Sequence, residues 1–386
     1  MMMSCFVPRD SDARLFVVKG NILMIYLNRF VGPANKERLI DCLRGRSVDR
    51  VPHFEILIED THVERLLGRK AGNTLGVGGN PAKGIKEKGE NIRPMHARDY
   101  LELCQMIGQD AMAVKASWTP IKVCKSDGTI ALLKDRSFKG EADLDRIVWP
   151  DETDMEERLQ YVREYVSAAK STGIGVIFNC GSLFQTLCEY VVGMHDCLIM
   201  VMEKIDLFKE IMSRSADYFA ELTRKAIEAG VDIIYFGDDI AFNTGLFIRP
   251  EILKDAWLPY FEHMSEPARQ KRIPIMFHSD GKIDEVVEWL IDIGVDSINP
   301  MDPSAIDYRV YKKRYGDRIT LHGNIDLTWP LATGTPEDVE TDVKAHMEVL
   351  KQGGRWIASS SHSIVDYIPH ENFVAMINAF HKYGLY

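Results

Sequence analysis

Eight short apolar runs rich in β-branched residues recur along the chain, and amphipathic helical patterns separate most of them. They fall at 51–57, 111–115, 174–179, 232–236, 273–278, 297–300, 318–322 and 355–359. Strands alternating with helices predict parallel pairing and right-handed crossovers. Eight such units predict an α/β fold of the (β/α)8 TIM-barrel class, with an open doubly wound sheet as the alternative. Gly173, Gly230, Gly294, Gly316 and the Gly353-Gly354 pair stand where the intervening helices should stop, at the bottom face of the barrel. The expected organisation is an N-terminal extension over 1–33 and a single barrel domain over 34–386. Within that domain, 68–98 is rich in Gly, Asn and Lys and has no apolar period. It follows the first strand, so it reads as a loop over the barrel top, either plain surface or a lid. Segment 121–133 reads as a hairpin turning at Asp127-Gly128.

The formal net charge of -10 argues against a nucleic-acid-binding surface, which favours a basic patch. Seven cysteines, none in a CxxC pair, speak against a disulfide framework and for a reducing cytoplasm. No apolar run reaches the roughly 18 residues of a membrane span. The nearest, 15–27, contains Lys19 and reads as an N-terminal strand; no small-residue cleavage site follows to make it a signal peptide. Neither a membrane nor a nucleic acid is therefore an expected partner. A homodimer is compatible with the sequence, which does not specify oligomeric state.

Catalytic residues of such barrels cluster after the strand C-termini. Those positions hold Glu55, Asn179-Cys180, Gly237-Asp238-Asp239, His278-Ser279-Asp280-Gly281, Asn299-Pro300-Met301-Asp302, His322-Gly323-Asn324-Ile325-Asp326 and Ser359-Ser360-Ser361-His362. A purely structural face would not need so many acids, amides and imidazoles. Each also has a plainer reading: Asp238, Asp239, Asn324 and Asp326 as helix caps, and His322 as a neutral histidine hydrogen-bonded within the barrel. His278 and Asp280 can face one pocket if the backbone turns at Gly281. With His362 they supply three N/O ligands and leave an open metal position. Glu55, Asp239 or Cys180 could replace one of the three, and Asp280 could instead orient His278. Glu55, Asp239, His322 and Asn179 are the candidates for catalysis. Asn299, Phe178 and Phe242 are the candidates for substrate binding, the two rings being suited to an aryl group or, on the plainer reading, to the core.

Several segments together resemble the uroporphyrinogen decarboxylase superfamily. They are Asn35-Lys36-Glu37-Arg38-Leu39 through Asp49-Arg50-Val51-Pro52, Gly237-Asp238-Asp239 with Ile248-Arg249-Pro250-Glu251, Phe277-His278-Ser279-Asp280-Gly281, and Leu321-His322-Gly323-Asn324-Ile325-Asp326. The resemblance covers about residues 34–386 and implies a (β/α)8 barrel. The superfamily holds decarboxylases and zinc-dependent, corrinoid-linked methyltransferases. The decarboxylases carry an Arg-rich segment after the first strand that grips carboxylates. Here that stretch contains Glu55, Glu59 and Asp60, which would repel them.

The methyltransferase branch is similar in its His-x-Cys pair and later Cys. His278 matches the His, Asp280 takes the first Cys position, and His362 lies near the second. Zinc held by one His and two thiolates is formally neutral, whereas a His, Asp, His set leaves it cationic and a stronger Lewis acid, suited to an ether oxygen. The resemblance thus implies a zinc ion on His278, Asp280 and His362. The reaction it implies is O-demethylation, passing a methyl group from a methoxylated or otherwise methylated small molecule to a corrinoid. Asp60-Thr61-His62 begins a DxHxxG corrinoid signature, but Arg65 stands in place of its Gly, so the corrinoid is expected on a partner protein. The alternatives are a cofactor-free decarboxylase using His322 and Arg249 with Asp238 or Asp239, and a barrel that only binds a ligand.

Overall fold

The computed structural model describes residues 13–18, 21–26, 33–75, 95–115, 122–124, 130–132, 140–148 and 151–386. Seven parallel strands form one sheet: β1 (Ala111–Lys115), β2 (Gly175–Gly181), β3 (Ile233–Gly237), β4 (Ile275–His278), β5 (Ser297–Asn299), β6 (Thr320–His322) and β7 (Trp356–Ile357). They are hydrogen-bonded in the order β7-β6-β5-β4-β3-β2-β1, each beside its neighbour in the chain. Helices fill the connections, as right-handed β-α-β units require.

The run at 51–57 fills the eighth place, but not as a regular strand. Ala358 N–H donates to Pro52 O at 2.9 Å and Phe54 N–H to Ala358 O at 3.3 Å, while Asp110 N–H reaches His53 O at 3.2 Å. One short segment thus touches both outer strands, and only His53 registers as a bridge within the run. The ladder stops because Pro52 has no N–H and Glu55 N–H is taken by Gln109 Oε1 at 3.0 Å.

Two apolar layers follow from the period-two alternation of strand side chains. Phe54, Ala111, Ala113, Ile177, Ile233, Tyr235, Met276 and Ile357 share the inner cluster with Leu39, Cys42 and Leu43. Those last three belong to helix Lys36–Leu43, which carries Asn35 as its cap and closes the barrel floor. Arg38 of the same helix binds Asp110 (Nη1–Oδ1 2.6 Å) and Asp49 (Nε–Oδ1 2.6 Å) beneath the strands. The opposite strand faces, among them Phe178, Cys180, Phe236 and Phe277, pack against the helices. Helix Ile205–Ala229 shows the usual logic: Leu207, Phe208, Ile211, Phe219, Leu222 and Ala226 repeat at helical spacing and are buried. It ends on Gly230 at φ 101°, a left-handed residue that glycine adopts without a Cβ clash. Gly316 also follows a helix, but its φ of -67° is right-handed.

The apolar stretch at 15–27 falls largely in an antiparallel hairpin of Ala13–Val18 with Asn21–Tyr26. Lys122–Cys124 pairs antiparallel with Ile130–Leu132, as the hairpin pattern required; its turn at Asp127-Gly128 lies outside the described residues. So does 76–94, the greater part of the expected lid. Among the described residues no helix is long and apolar enough to cross a membrane.

Candidate metal centre

At the C-terminal ends of β3, β4 and β5 the register places Gly237, His278 and Asn299 side by side. His278 lies on the inner face, two residues after the inward-facing Met276. Its Nδ1 is 2.6 Å from Asn299 Oδ1. Asn299 Nδ2 donates to His322 O at 3.1 Å, which fixes the amide so that its oxygen meets His278. The Tyr235 hydroxyl donates to that same oxygen at 2.9 Å, and burial pushes its ionisation well above the usual phenol range. His278 Nδ1 therefore carries the hydrogen and donates it. Nε2 faces Asp239 Oδ1 at 3.6 Å and Asp280 Oδ1 at 3.7 Å.

The chain turns sharply after β4. Gly281 has φ 82°, and a Cβ there would stand 2.7 Å from the Phe242 carbonyl atoms, so only glycine fits. The turn is held by Asp239 Oδ1, which accepts Asp280 N–H at 2.9 Å, and by Asp302 Oδ2, which accepts Gly281 N–H at 3.2 Å. Gln185 Nε2 secures the other Asp239 oxygen at 2.9 Å. Asp280 Oδ2 then lies 3.5 Å from His362 Nε2, delivered by the turn after β7. Partial burial raises the Asp280 carboxyl above its usual range; His278 and His362 pull it down, and Asp239 and Asp302 push it up.

One ligand atom each from His278, Asp280 and His362 lie within 4.8 Å of one another. In a tetrahedral site two zinc ligands, each at about 2.0–2.2 Å, stand about 3.3–3.6 Å apart. The cluster would therefore close by about an ångström at its widest pair to hold such an ion. The donors suit it: two imidazole nitrogens and one carboxylate, with His278 already oriented through its far nitrogen. A cavity of about 360 Å³ adjoins the cluster, lined by Asp239, Asp280, Asp302, Gln185, Phe242 and Phe247 among others. Phe242 is 59% exposed, so its ring is available to a ligand.

Of the other candidates, Asp239 and Asn299 join this cluster, and Asn179 faces the barrel interior beside Tyr235 on β3. The remainder do not. Phe178 follows the inward-facing Ile177, so it points outward and is fully buried against the helices. Cys180 shares that face; its Sγ lies 3.2 Å from Thr223 Oγ1, and burial pushes the thiol up to about 12. His322 is 1% exposed and its Nε2 meets Phe54 O at 2.9 Å. Burial pushes it down to about 3, which fits the plainer reading of a neutral histidine hydrogen-bonded within the barrel. Asp238 is also structural: it accepts Phe184 N–H, Gln185 N–H and Trp257 Nε1–H at 3.1, 2.8 and 2.7 Å. Glu55 turns to the helix side with His53, which packs on Phe380 at 5.3 Å between ring centroids, so it does not enter the mouth. Tyr235 and Gln185 were not singled out from the sequence. Tyr235 was detectable, since the alternation that puts Ile233 inside puts it inside too.

Residues 111–383 match the uroporphyrinogen decarboxylase (URO-D) family. Among curated relatives, a uroporphyrinogen decarboxylase from Methylococcus capsulatus is 28% identical over 261 residues, spanning 64% of this chain and 70% of that protein. The methylcobamide:CoM methyltransferase MtaA from Methanosarcina barkeri is 25% identical over 198 residues, spanning 51% of this chain and 56% of that protein. Among solved structures, a methyltransferase from Methanosarcina mazei superimposes with a TM-score of 0.63 at 16% identity, over 90% of this chain and 98% of that one, a likeness of fold. With the matched region running from β1 to the last helix, this chain belongs to the uroporphyrinogen decarboxylase family.

Proposed function

We propose that the protein is a metal-dependent methyltransferase. Its reaction would move a methyl group from a methylated small molecule, a methoxylated aromatic in particular, to a corrinoid carried by a partner protein. The observation that carries this reading is the His278, Asp280, His362 donor cluster at the mouth of the barrel. Similarity to a named methyltransferase supports the same branch of the family. The adjoining cavity supports it as well: its lining includes three carboxylates and, among the described residues, no arginine or lysine. Such a wall repels a polycarboxylate porphyrinogen and accepts a neutral substrate.

His278, Asp280 and His362 would hold a zinc ion, and a bound zinc supplies Lewis-acid pull on the oxygen that loses its methyl group. The chain's own residues do the rest. Asn299, itself held by Tyr235, keeps His278 Nε2 turned to the cluster. Asp239 clamps the Asp280 backbone, and Phe242 and Phe247 present rings to an aryl group.

The test mixes purified protein, a reduced corrinoid protein and a methoxylated aromatic, and follows the corrinoid absorption as it becomes methylated. Methylation that disappears on chelation and returns with zinc is the expected result. Methylation indifferent to exhaustive chelation would overturn the metal reading. Carbon dioxide release without metal would favour the decarboxylase alternative.

A further inference from the structure

Glu55 is 1% exposed, and both its oxygens meet one residue. Ser360 N–H donates to Oε1 at 2.8 Å. Ser360 Oγ lies 2.7 Å from Oε2 and also 2.7 Å from the carbonyl oxygen of His362. A hydroxyl has a single hydrogen to donate. Were the carboxyl ionised, that hydrogen could serve one contact, and the other would be two oxygens pressed together with nothing between them. With a proton on Oε2, Glu55 donates to Ser360 Oγ, the Ser360 hydrogen passes on to His362 O, and all three contacts are satisfied. His53, the basic group beside it at 3.6 Å, supplies no charge, because burial pushes that imidazole down to about 3. Burial also pushes Glu55 up to about 8, which agrees with the hydrogen count.

We infer that Glu55 is a positioning residue, a neutral carboxylic acid that ties the eighth segment of the barrel to the Ser360–His362 turn and so fixes His362 within the metal cluster. The inference rests on the metal site proposed above, yet the lock itself exists without metal. Its signature is chemical: a neutral amide can replace a neutral acid, donating from nitrogen to Ser360 Oγ and accepting Ser360 N–H on oxygen.

The experiment compares wild type with Glu55→Gln, Glu55→Ala and Ser360→Ala. Zinc affinity is measured by chelator competition at pH 7, and amide exchange over 358–364 is measured in the metal-free proteins. Glu55→Gln should keep wild-type zinc affinity to within about threefold and wild-type exchange. Glu55→Ala and Ser360→Ala should weaken zinc about 10–100-fold and speed exchange at Ser360. Should Glu55→Ala fail to fold, Ser360→Ala, which removes only a hydroxyl, carries the same comparison. Glu55→Gln as damaging as Glu55→Ala would overturn the proposal, and so would two Ala variants indistinguishable from wild type. A wild-type protein that binds no zinc defeats the metal reading alone, and the exchange comparison still decides the lock.

Discussion

Replacing Glu55 by Gln should stabilise the metal-free protein, and by an amount that depends on pH in a defined way. The carboxyl ionises at its ordinary 4.5 when the chain is unfolded and at about 8 when buried beside Ser360. Below pH 4.5 both states hold the proton and its contribution to stability is fully present. Between 4.5 and 8 only the folded state holds it, so stability falls by about 1.4 kcal/mol for each pH unit. Above 8 both states have lost it and the loss is complete. Gln does not titrate, so it escapes this decline. At pH 7 the advantage of Glu55→Gln should approach about 3 kcal/mol, an upper figure that assumes the amide keeps both contacts. Every other titrating group is common to the two proteins and cancels. Urea unfolding of both proteins in EDTA, followed by tryptophan fluorescence at pH 4.5, 6, 7 and 8.5, measures the difference. It should be near zero at pH 4.5, grow through neutrality and level off above 8. A difference constant with pH, or a Gln variant less stable than wild type at pH 7, would refute the neutral-acid assignment.

The two phenylalanines once grouped for substrate binding should separate. Phe178→Ala empties a fully buried site between β2 and the helices and should cost about 3–5 kcal/mol of stability while leaving the KM of the surviving folded enzyme unchanged. Phe242→Ala should change stability by less than about 0.5 kcal/mol and raise KM, since its ring is mostly exposed beside the metal cluster. Arg38→Ala should cost about 3 kcal/mol in urea unfolding, because it leaves the buried Asp110 carboxylate with the Asn35 N–H at 2.9 Å and, for a counter-charge, the more distant Arg50 at 3.3 Å.

The barrel could be read from the order of its apolar runs, because burial on both faces makes parallel strands continuous hydrophobic stretches. That same continuity hid which face each residue takes. Phe178 follows the apolar Val176-Ile177, and only its position next to Asn179, an inward polar residue, betrayed its outward direction. Strand ends were equally blurred at Arg318: its N–H closes on Tyr315 O at 2.9 Å, so β6 starts two residues later. That His278, Asp280 and His362 come together was legible because all three stand at or just after strand ends on one side of the barrel. Glu55 was misplaced because a carboxylate after the first strand looks like a mouth residue. Its partner, Ser360, is 305 positions away and nothing local announces the pairing. The Asn299–Tyr235 support of His278 was missed for the same reason: the hydrogen bond joins residues 64 apart through the barrel interior.

His278, Asp280 and His362 are proposed to hold one metal ion. Diffraction recorded on both sides of the zinc absorption edge, from crystals grown with zinc, tests it directly. One anomalous peak is predicted at about 2.0–2.2 Å from an imidazole nitrogen of His278, a carboxylate oxygen of Asp280 and an imidazole nitrogen of His362, and it should vanish in His278→Ala crystals that keep the fold. Zinc bound elsewhere with this site empty, or a peak that persists in the His278→Ala protein, would contradict it.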